Sequence, residues 1–273
     1  MSRWRPERIR IALHADRAAL VRLGGRQRRT VAATQVVSFP VDAREPARIG
    51  AAVGEALSLP EWRHGAIEIV LSHALCKLAL VPGGIDVRGR QEEEALYRSA
   101  IEEANGELPA GWRVVVAEAP THLPRLACAV DGALLDAVDS AAASSGGRIM
   151  SLRPLLVFAY NARRGEMASG RFGLVTVERE RCCLARIQDG VWRSLRVRRL
   201  FDDPETELAS LLRQERVLAG DEYAPDGLLL CAPNHPQLRL PAGFAPAPLK
   251  EPPGIGVTPA EAVDFGMALE GMR

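Results

Sequence analysis

Two parts of this chain show the same order of apolar and polar segments. In the first copy, segments 9–14, 18–23 and 31–39 are rich in aliphatic or β-branched residues and are predicted to be strands. A helix with one apolar face follows over 46–59, and a short apolar strand follows over 67–71. The pattern therefore predicts a unit of three strands, a helix and a fourth strand.

The second half of the chain repeats this unit. Three further strands are predicted, over 172–177, 182–187 and 192–200. Asp189 and Gly190 form the dipeptide that most strongly favours a tight hairpin turn. The residues Asp-Asp-Pro-Glu over 202–205 offer an N-cap and a proline suited to the first helical turn, and 227–231 is the closing strand.

The segment between the copies is predicted to be a small inserted α/β subdomain over 73–150. Its predicted strands are 72–81, 112–118, 125–130 and 148–152, and its predicted helices are 91–105 and 131–144. We therefore expect a first lobe over 1–165 that contains this insertion. A second lobe over 166–273 would end in a proline-rich connector and a helix that begins at Thr258 and Pro259.

Composition fits a soluble protein with two cores, since 47% of the 273 residues are hydrophobic and the net charge is only +1. No window reaches the roughly 20 apolar residues of a membrane span, so a cytosolic chain is expected. The low net charge gives no general attraction for nucleic acid. Two arginine clusters are either solvated strand faces or sites for anions or lipid: Arg26, Arg28 and Arg29, and Arg193, Arg196, Arg198 and Arg199.

Cysteine and histidine spacing gives no metal signature. The five cysteines are odd in number, lie mostly in apolar runs and are expected to be buried free thiols: Cys76, Cys128, Cys182, Cys183 and Cys231. The histidines are expected to be partly exposed or singly hydrogen-bonded: His14, His64, His73, His122 and His235. Neither a P-loop nor a dinucleotide, nucleophile-elbow or zinc-protease motif occurs.

Three stretches resemble the actin-like ATPases, and among them the pilus and secretion assembly proteins PilM, the cytoplasmic part of GspL, and MshI. Residues 9–23 resemble the first phosphate-binding hairpin of that fold, and residues 173–190 resemble the second. Residues 265–271 are similar to the glycine- and alanine-rich C-terminal helix of PilM-like chains. The resemblance implies an α/β fold of duplicated ribonuclease H-like (actin-like ATPase) lobes with a small inserted α/β subdomain.

The chain departs from this family at the residues that would hold nucleotide. His14 stands where the resemblance implies an acidic residue, and Asp16 lies in a turn that has no glycine. Thr176 and Glu178 stand where the family carries Asp and Gly in the second hairpin. These degenerate positions predict a pseudo-ATPase with no catalytic residue, no metal and no cofactor, ATP included.

The resemblance also implies a role and a partner. We expect a non-catalytic scaffold at the inner face of the inner membrane, which binds the cytosolic N-terminal segment of an inner-membrane assembly protein and no nucleic acid. Its docking surface is expected between the first lobe and the inserted subdomain, around 72–81 and the helix that begins near Gln91. The alternatives are an actin-like small-molecule kinase or nucleotide-binding switch, a ribonuclease H-like nuclease, and an unrelated α/β protein.

Overall fold

Three β-sheets organise the chain in the computed structural model. The structure describes residues 8–24, 30–39, 45–201, 203–220, 226–235, 237–244 and 259–269. Several residues used in the sequence predictions lie outside these ranges: Arg26, Arg28, Arg29, Asp202 and Thr258.

The first lobe is built on a five-stranded sheet with the order β3-β2-β1-β4-β8. β1, β2 and β3 form an antiparallel meander, and β4 and β8 continue the sheet parallel to β1. The repeated apolar pattern of the sequence makes these strands, because β1, β2 and β4 are almost wholly buried. The strands are β1 (Arg8–Leu13), β2 (Arg17–Gly24), β3 (Thr30–Ser38), β4 (Ala66–Leu71) and β8 (Arg148–Pro154).

Helices pack closely on this lobe. They are α1 (Pro46–Ser58), α3 (Gly132–Ser144) and α4 (Leu155–Arg163), with a 3₁₀ turn over Pro60–Trp62. α1 and α3 approach each other at Gly50, where an added Cβ would lie 2.7 Å from the Ala137 Cβ. Glycine is needed at this position because the two helix backbones are in near contact.

The second lobe repeats the unit in a four-stranded sheet with the order β11-β10-β9-β12. Asp189 and Gly190 both have positive φ, as a type I′ turn requires, so the predicted hairpin is confirmed. The Asp203 side chain accepts a hydrogen bond from the Thr206 N–H and caps α5. The elements are β9 (Arg171–Val177), β10 (Arg181–Gln188), β11 (Val191–Arg199), α5 (Pro204–Ala219) and β12 (Gly227–Cys231).

A separate three-stranded sheet with the order β5-β7-β6 forms the inserted unit, with α2 packed on one face. Its elements are β5 (Cys76–Val81), α2 (Arg90–Asn105), β6 (Trp112–Val116) and β7 (Arg125–Asp131). Three sequence predictions about this unit are wrong. The helix predicted over 131–144 is α3, which packs on α1 in the first lobe. The strand near 148–152 pairs with β4 in the first lobe, and residues 72–75 form a turn before β5 because the Leu75 N–H bonds the Ser72 carbonyl.

The C-terminal helix α6 (Pro259–Leu269) docks on the first lobe. The Arg10 Nη1 donates to the carbonyl of Ala268 at 2.9 Å, and the Arg17 guanidinium lies 3.6 Å from the Asp264 carboxylate. Phe265 and Met267 are buried in the main core. α6 therefore joins the end of the described chain to the strands that carry the first hairpin.

Candidate functional site

Two hairpin turns from the two lobes face each other and have the same geometry. The His14 N–H donates to the Arg17 carbonyl, and the Glu178 N–H donates to the Arg181 carbonyl, each at 2.8 Å. Both residues directly follow the first strand of their lobe. His14 and Glu178 therefore occupy equivalent positions in the repeated fold.

This equivalence changes the sequence assignment of the second hairpin. Thr176 lies inside β9, paired with Cys183, and is fully buried two residues before the turn. It does not line the cavity between the hairpins, whereas His14, Asp16 and Glu178 do. The carboxylate at the position equivalent to His14 is therefore that of Glu178, and Thr176 is a strand residue.

Glu178 is tied to His73, a residue of the first lobe. Its Oε2 lies 2.8 Å from His73 Nδ1 and accepts the His73 backbone N–H at 2.8 Å. Both side chains are buried. The pair therefore joins the turn after β4 to the second-lobe hairpin from inside the protein.

Burial, hydrogen bonding and nearby charges shift the pKa of both groups in this pair. Burial raises the pKa of the Glu178 carboxyl, but the His73 ring and N–H groups lower it by more, so the carboxylate is ionised. Against the effect of burial, the acidic groups near His73 raise the pKa of its ring. The Leu156 N–H also donates to His73 Nε2 at 3.3 Å. The pair is therefore an ionised carboxylate beside a buried ring whose pKa its acidic neighbours raise.

His14 is buried as well, and its ring is uncharged. Burial lowers the pKa of its ring from 6.5 to about 4. Within the described ranges its Nε2 has no hydrogen-bond partner. At neutral pH the first hairpin thus presents an uncharged ring where the resemblance implies a carboxylate.

The tips of the hairpins are joined by an ion pair. Arg179 Nη1 lies 3.2 Å from Asp16 Oδ2, and Arg17 Nη1 lies 3.4 Å from the same oxygen. Asp16 is therefore neutralised by one arginine from each lobe. A phosphate group would meet this carboxylate and side chains at every turn position, because neither turn contains glycine.

The space left between the hairpins, the hairpin cleft, measures about 230 Å³. Ligand pockets usually have roughly 300–1,000 Å³, so the hairpin cleft is small for a nucleotide. In the described part of the chain, no three His, Cys, Asp or Glu side chains are placed to hold a metal ion. The cleft is lined by His14, Ala15, Asp16, Ser72, Ala74, Glu178, Arg179, Glu180, Arg181 and Asn234.

A second cavity, the interlobe groove, measures about 320 Å³ and lies where the inserted unit, α4 and the β10–β11 turn meet. The Tyr160 and Trp192 rings are 4.7 Å apart between centroids, and the Tyr160 hydroxyl donates to the Gly190 carbonyl at 3.1 Å. Aromatic rings beside small apolar residues suit an apolar side chain. The groove is lined by residues 117–120 and 123–126, Val157, Tyr160, Asn161, Arg164 and 190–192.

Two arginines of β11, Arg196 and Arg198, face α5. Arg196 Nε lies 3.2 Å from the buried carboxylate of Glu215, and Arg198 Nη1 lies 3.9 Å from Glu207. Arg199 lies 4.0 Å from Glu180. These contacts favour a structural role for the three arginines over an anion site.

The cysteine prediction is confirmed, since all five thiols are free, Cys128 is half-buried and the other four are buried. The histidine prediction is wrong for His14 and His73, which are buried. Sequence reasoning also missed Arg179, Tyr160 and Trp192, because their partners come from the other lobe. The one available signal was the composition of 178–181, with four consecutive charged residues at a predicted turn.

Comparisons with solved structures identify the architecture. A PilM-PilN type IV pilus biogenesis complex matches with a TM-score of 0.63 at 16% identity, over 98% of this chain and 99% of that chain. The cytoplasmic domain of EpsL, an inner-membrane component of the type II secretion system of Vibrio cholerae, matches with a TM-score of 0.57 at 13% identity, over 96% and 94%.

A Bacteroides thetaiotaomicron protein with an actin-like ATPase fold and unknown function matches with a TM-score of 0.55 at 9% identity, over 82% of this chain and 81% of that chain. The chain therefore has the actin-like ATPase fold, as the sequence predicted. No protein-family model and no curated protein matches it. In the described ranges, no helix is both long enough and apolar enough to cross a bilayer.

Proposed function

We propose that this protein is a non-catalytic assembly component of a type IV pilus or type II secretion-like inner-membrane platform. It binds the cytosolic segment of a membrane partner in the interlobe groove and lies at the inner face of the membrane through that partner. No nucleotide turnover takes part in this role.

Each of the two turn carboxylates is paired with a side chain from the other lobe, and this observation carries the proposal. Glu178 bonds His73, and Asp16 bonds Arg179. In phosphoryl transfer, Mg²⁺ is held by one or two carboxylates together with the phosphates. A carboxylate held by a basic side chain must break that contact before it can bind a metal. The small volume of the cleft and the missing glycines add to this barrier.

Two further observations support a binding role. The interlobe groove brings aromatic and aliphatic side chains to one concave surface, as peptide-binding sites do. Structures of this fold include a PilM-PilN complex and the cytoplasmic domain of an inner-membrane secretion component. These likenesses support a role in pilus or secretion assembly.

The proposal can be tested by photocrosslinking in cells. A photoreactive phenylalanine replaces Asn161, which lines the groove and is exposed, and as a control it replaces Glu103 on α2 outside the groove. We expect the Asn161 variant alone to crosslink to the cytosolic segment of a membrane protein. Crosslinks only to soluble proteins, or equal crosslinks from both positions, would contradict the proposed function.

A further inference from the structure

β6 is an edge strand of the inserted sheet and offers an open hydrogen-bonding edge. Among the described strands it pairs only with β7, antiparallel. The ladder continues past its ends, where the Ala117 N–H bonds the Leu126 carbonyl and the Gly132 N–H bonds the Gly111 carbonyl. In such a ladder every second residue faces the partner strand, so Arg113 and Val115 bond β7.

The main-chain groups of Val114 and Val116 therefore point away from β7. Trp112 also faces outward, but its N–H bonds the Pro109 carbonyl and its carbonyl accepts from Arg98. The open edge thus consists of the two N–H and two carbonyl groups of Val114 and Val116. Val115, between them, is 66% exposed. An unprotected strand edge of this kind is a template for a further strand.

A cavity borders this edge on each face of the sheet. On the α2 face, Val114 and Val116 line a cavity of about 480 Å³, called here the α2-side cavity. On the opposite face, Ala117 and Leu126 line the interlobe groove. Side chains of an added strand would alternate between these two faces. The groove begins at Ala117, just after β6, and the two cavities share Ala117, Glu118, Ala119 and Arg125. The edge therefore presents a ladder with one cavity beside Val114 and Val116 and the other at the end of the strand.

The two cavities differ in chemistry. The groove presents the Tyr160 and Trp192 rings together with Glu118, Arg125 and Arg164. The α2-side cavity contains the carboxylates of Glu93, Glu94 and Glu118 against the guanidinium groups of Arg90 and Arg125. Arg90 pairs with Glu94, and Arg125 pairs with Glu93. Carboxylates outnumber guanidinium groups, so this side favours a basic residue.

We infer that β6 binds an extended segment by strand addition. Its apolar residues enter the interlobe groove, and its alternate, basic residues lie over Val114 and Val116 in the α2-side cavity. This inference rests on the proposed function, because it specifies how the membrane partner docks. Cytosolic segments beside a membrane span are rich in Lys and Arg, which matches the acidic side of the edge.

Fluorescence anisotropy with a short, blocked, labelled peptide of alternating leucine and lysine tests this inference on the full chain. Val116→Pro removes an N–H that faces the open edge and leaves the β6–β7 bonds in place, as an edge strand tolerates. Val116→Thr is the matched control, because it keeps the N–H. We expect Val116→Pro to weaken binding by about tenfold or more and Val116→Thr to leave it nearly unchanged.

Three comparison peptides keep the test independent of the folding of the variants. Two further versions of the leucine–lysine peptide are N-methylated at the leucine amides or at the lysine amides. The version whose methyl groups face β6 cannot form the ladder and should bind the unaltered protein about tenfold more weakly. A leucine–glutamate peptide should also bind more weakly, most clearly at low salt. The inference is wrong if the leucine–lysine peptide does not bind, or if N-methylation and Val116→Pro have no effect. The crosslinking test at Asn161 would still decide the proposed function in either case.

Discussion

His73 Nδ1 lies 2.8 Å from Glu178 Oε2 and joins the two lobes behind the hairpin cleft. The hairpin cleft is the space where the resemblance to the actin-like ATPases implies a nucleotide site. The carboxylate that could have served a metal is instead hydrogen-bonded inside the protein. The contact is therefore a structural reason for the absence of catalysis that we propose.

Removing the ring of His73 should destabilise the protein strongly. His73→Ala removes the ring beside the buried Glu178 carboxylate, and breaking a buried pair on one side costs about 3–5 kcal/mol. We expect a loss of this size in the free energy of unfolding, measured by urea denaturation at pH 7.

Two controls distinguish the loss of the His73–Glu178 contact from nonspecific destabilisation. His122→Ala changes an exposed loop residue and should alter stability by less than about 0.5 kcal/mol. The double variant His73→Leu with Glu178→Leu removes both polar groups and should lose less than His73→Ala alone. A loss below about 1 kcal/mol for His73→Ala would mean that the pair does not hold the lobes.

His14 predicts a pH dependence of stability. The pKa of the His14 ring is 6.5 in the unfolded chain and about 4 in the folded protein, so the unfolded chain binds a proton first as the pH falls. Stability that is complete above pH 6.5 is therefore lost progressively toward pH 4. Between pH 7 and pH 5 the unaltered protein should lose about 2 kcal/mol that His14→Gln does not lose. Parallel stability curves for the two proteins would contradict the buried neutral ring.

The contact between α1 and α3 gives a matched pair of glycine substitutions. A Cβ at Gly50 would lie 2.7 Å from the Ala137 Cβ, whereas a Cβ at Gly54 would lie 3.5 Å from the Ala141 Cβ. We expect Gly50→Ala to cost about 1–3 kcal/mol by overpacking. Gly54→Ala should be neutral or stabilise the helix by up to about 1 kcal/mol. Thermal unfolding checks both, and equal effects would show that α3 does not pack on α1 as described.

Trp192 should contribute much of the partner affinity. The ring lines the interlobe groove and is half-buried, so Trp192→Ala removes binding surface from the groove. Once crosslinking identifies the partner segment, we expect this variant to bind it at least about tenfold more weakly by calorimetry. Phe201→Ala, which removes an exposed ring outside the groove, is the control. Equal affinity of Trp192→Ala and the unaltered protein would place the binding site elsewhere.

Local signals in the sequence predicted most elements of the fold. Asp189 and Gly190 fixed a hairpin because only a few residues adopt positive φ easily, and Asp203 fixed a helix start through its side chain. The apolar runs of β1 and β4 identified buried strands without any tertiary information.

Contacts between segments that are far apart in the sequence could not be predicted in the same way. β8 could have joined either sheet, because its alternating exposure says nothing about which strand lies beside it. His73 and Glu178 are 105 residues apart, and neither has a neighbour in sequence that indicates the other. The interlobe groove likewise exists only where three separate segments meet.

Hydrolysis of ATP by the purified full chain tests the central claim most directly. Phosphate release with ATP and Mg²⁺ is compared among the unaltered protein, Asp16→Asn and Glu178→Gln. We predict that all three release phosphate no faster than buffer, because both carboxylates are held by basic side chains across the hairpin cleft. Mg²⁺-dependent turnover by the unaltered protein that either substitution abolishes would contradict a non-catalytic scaffold and show that the cleft is an active site.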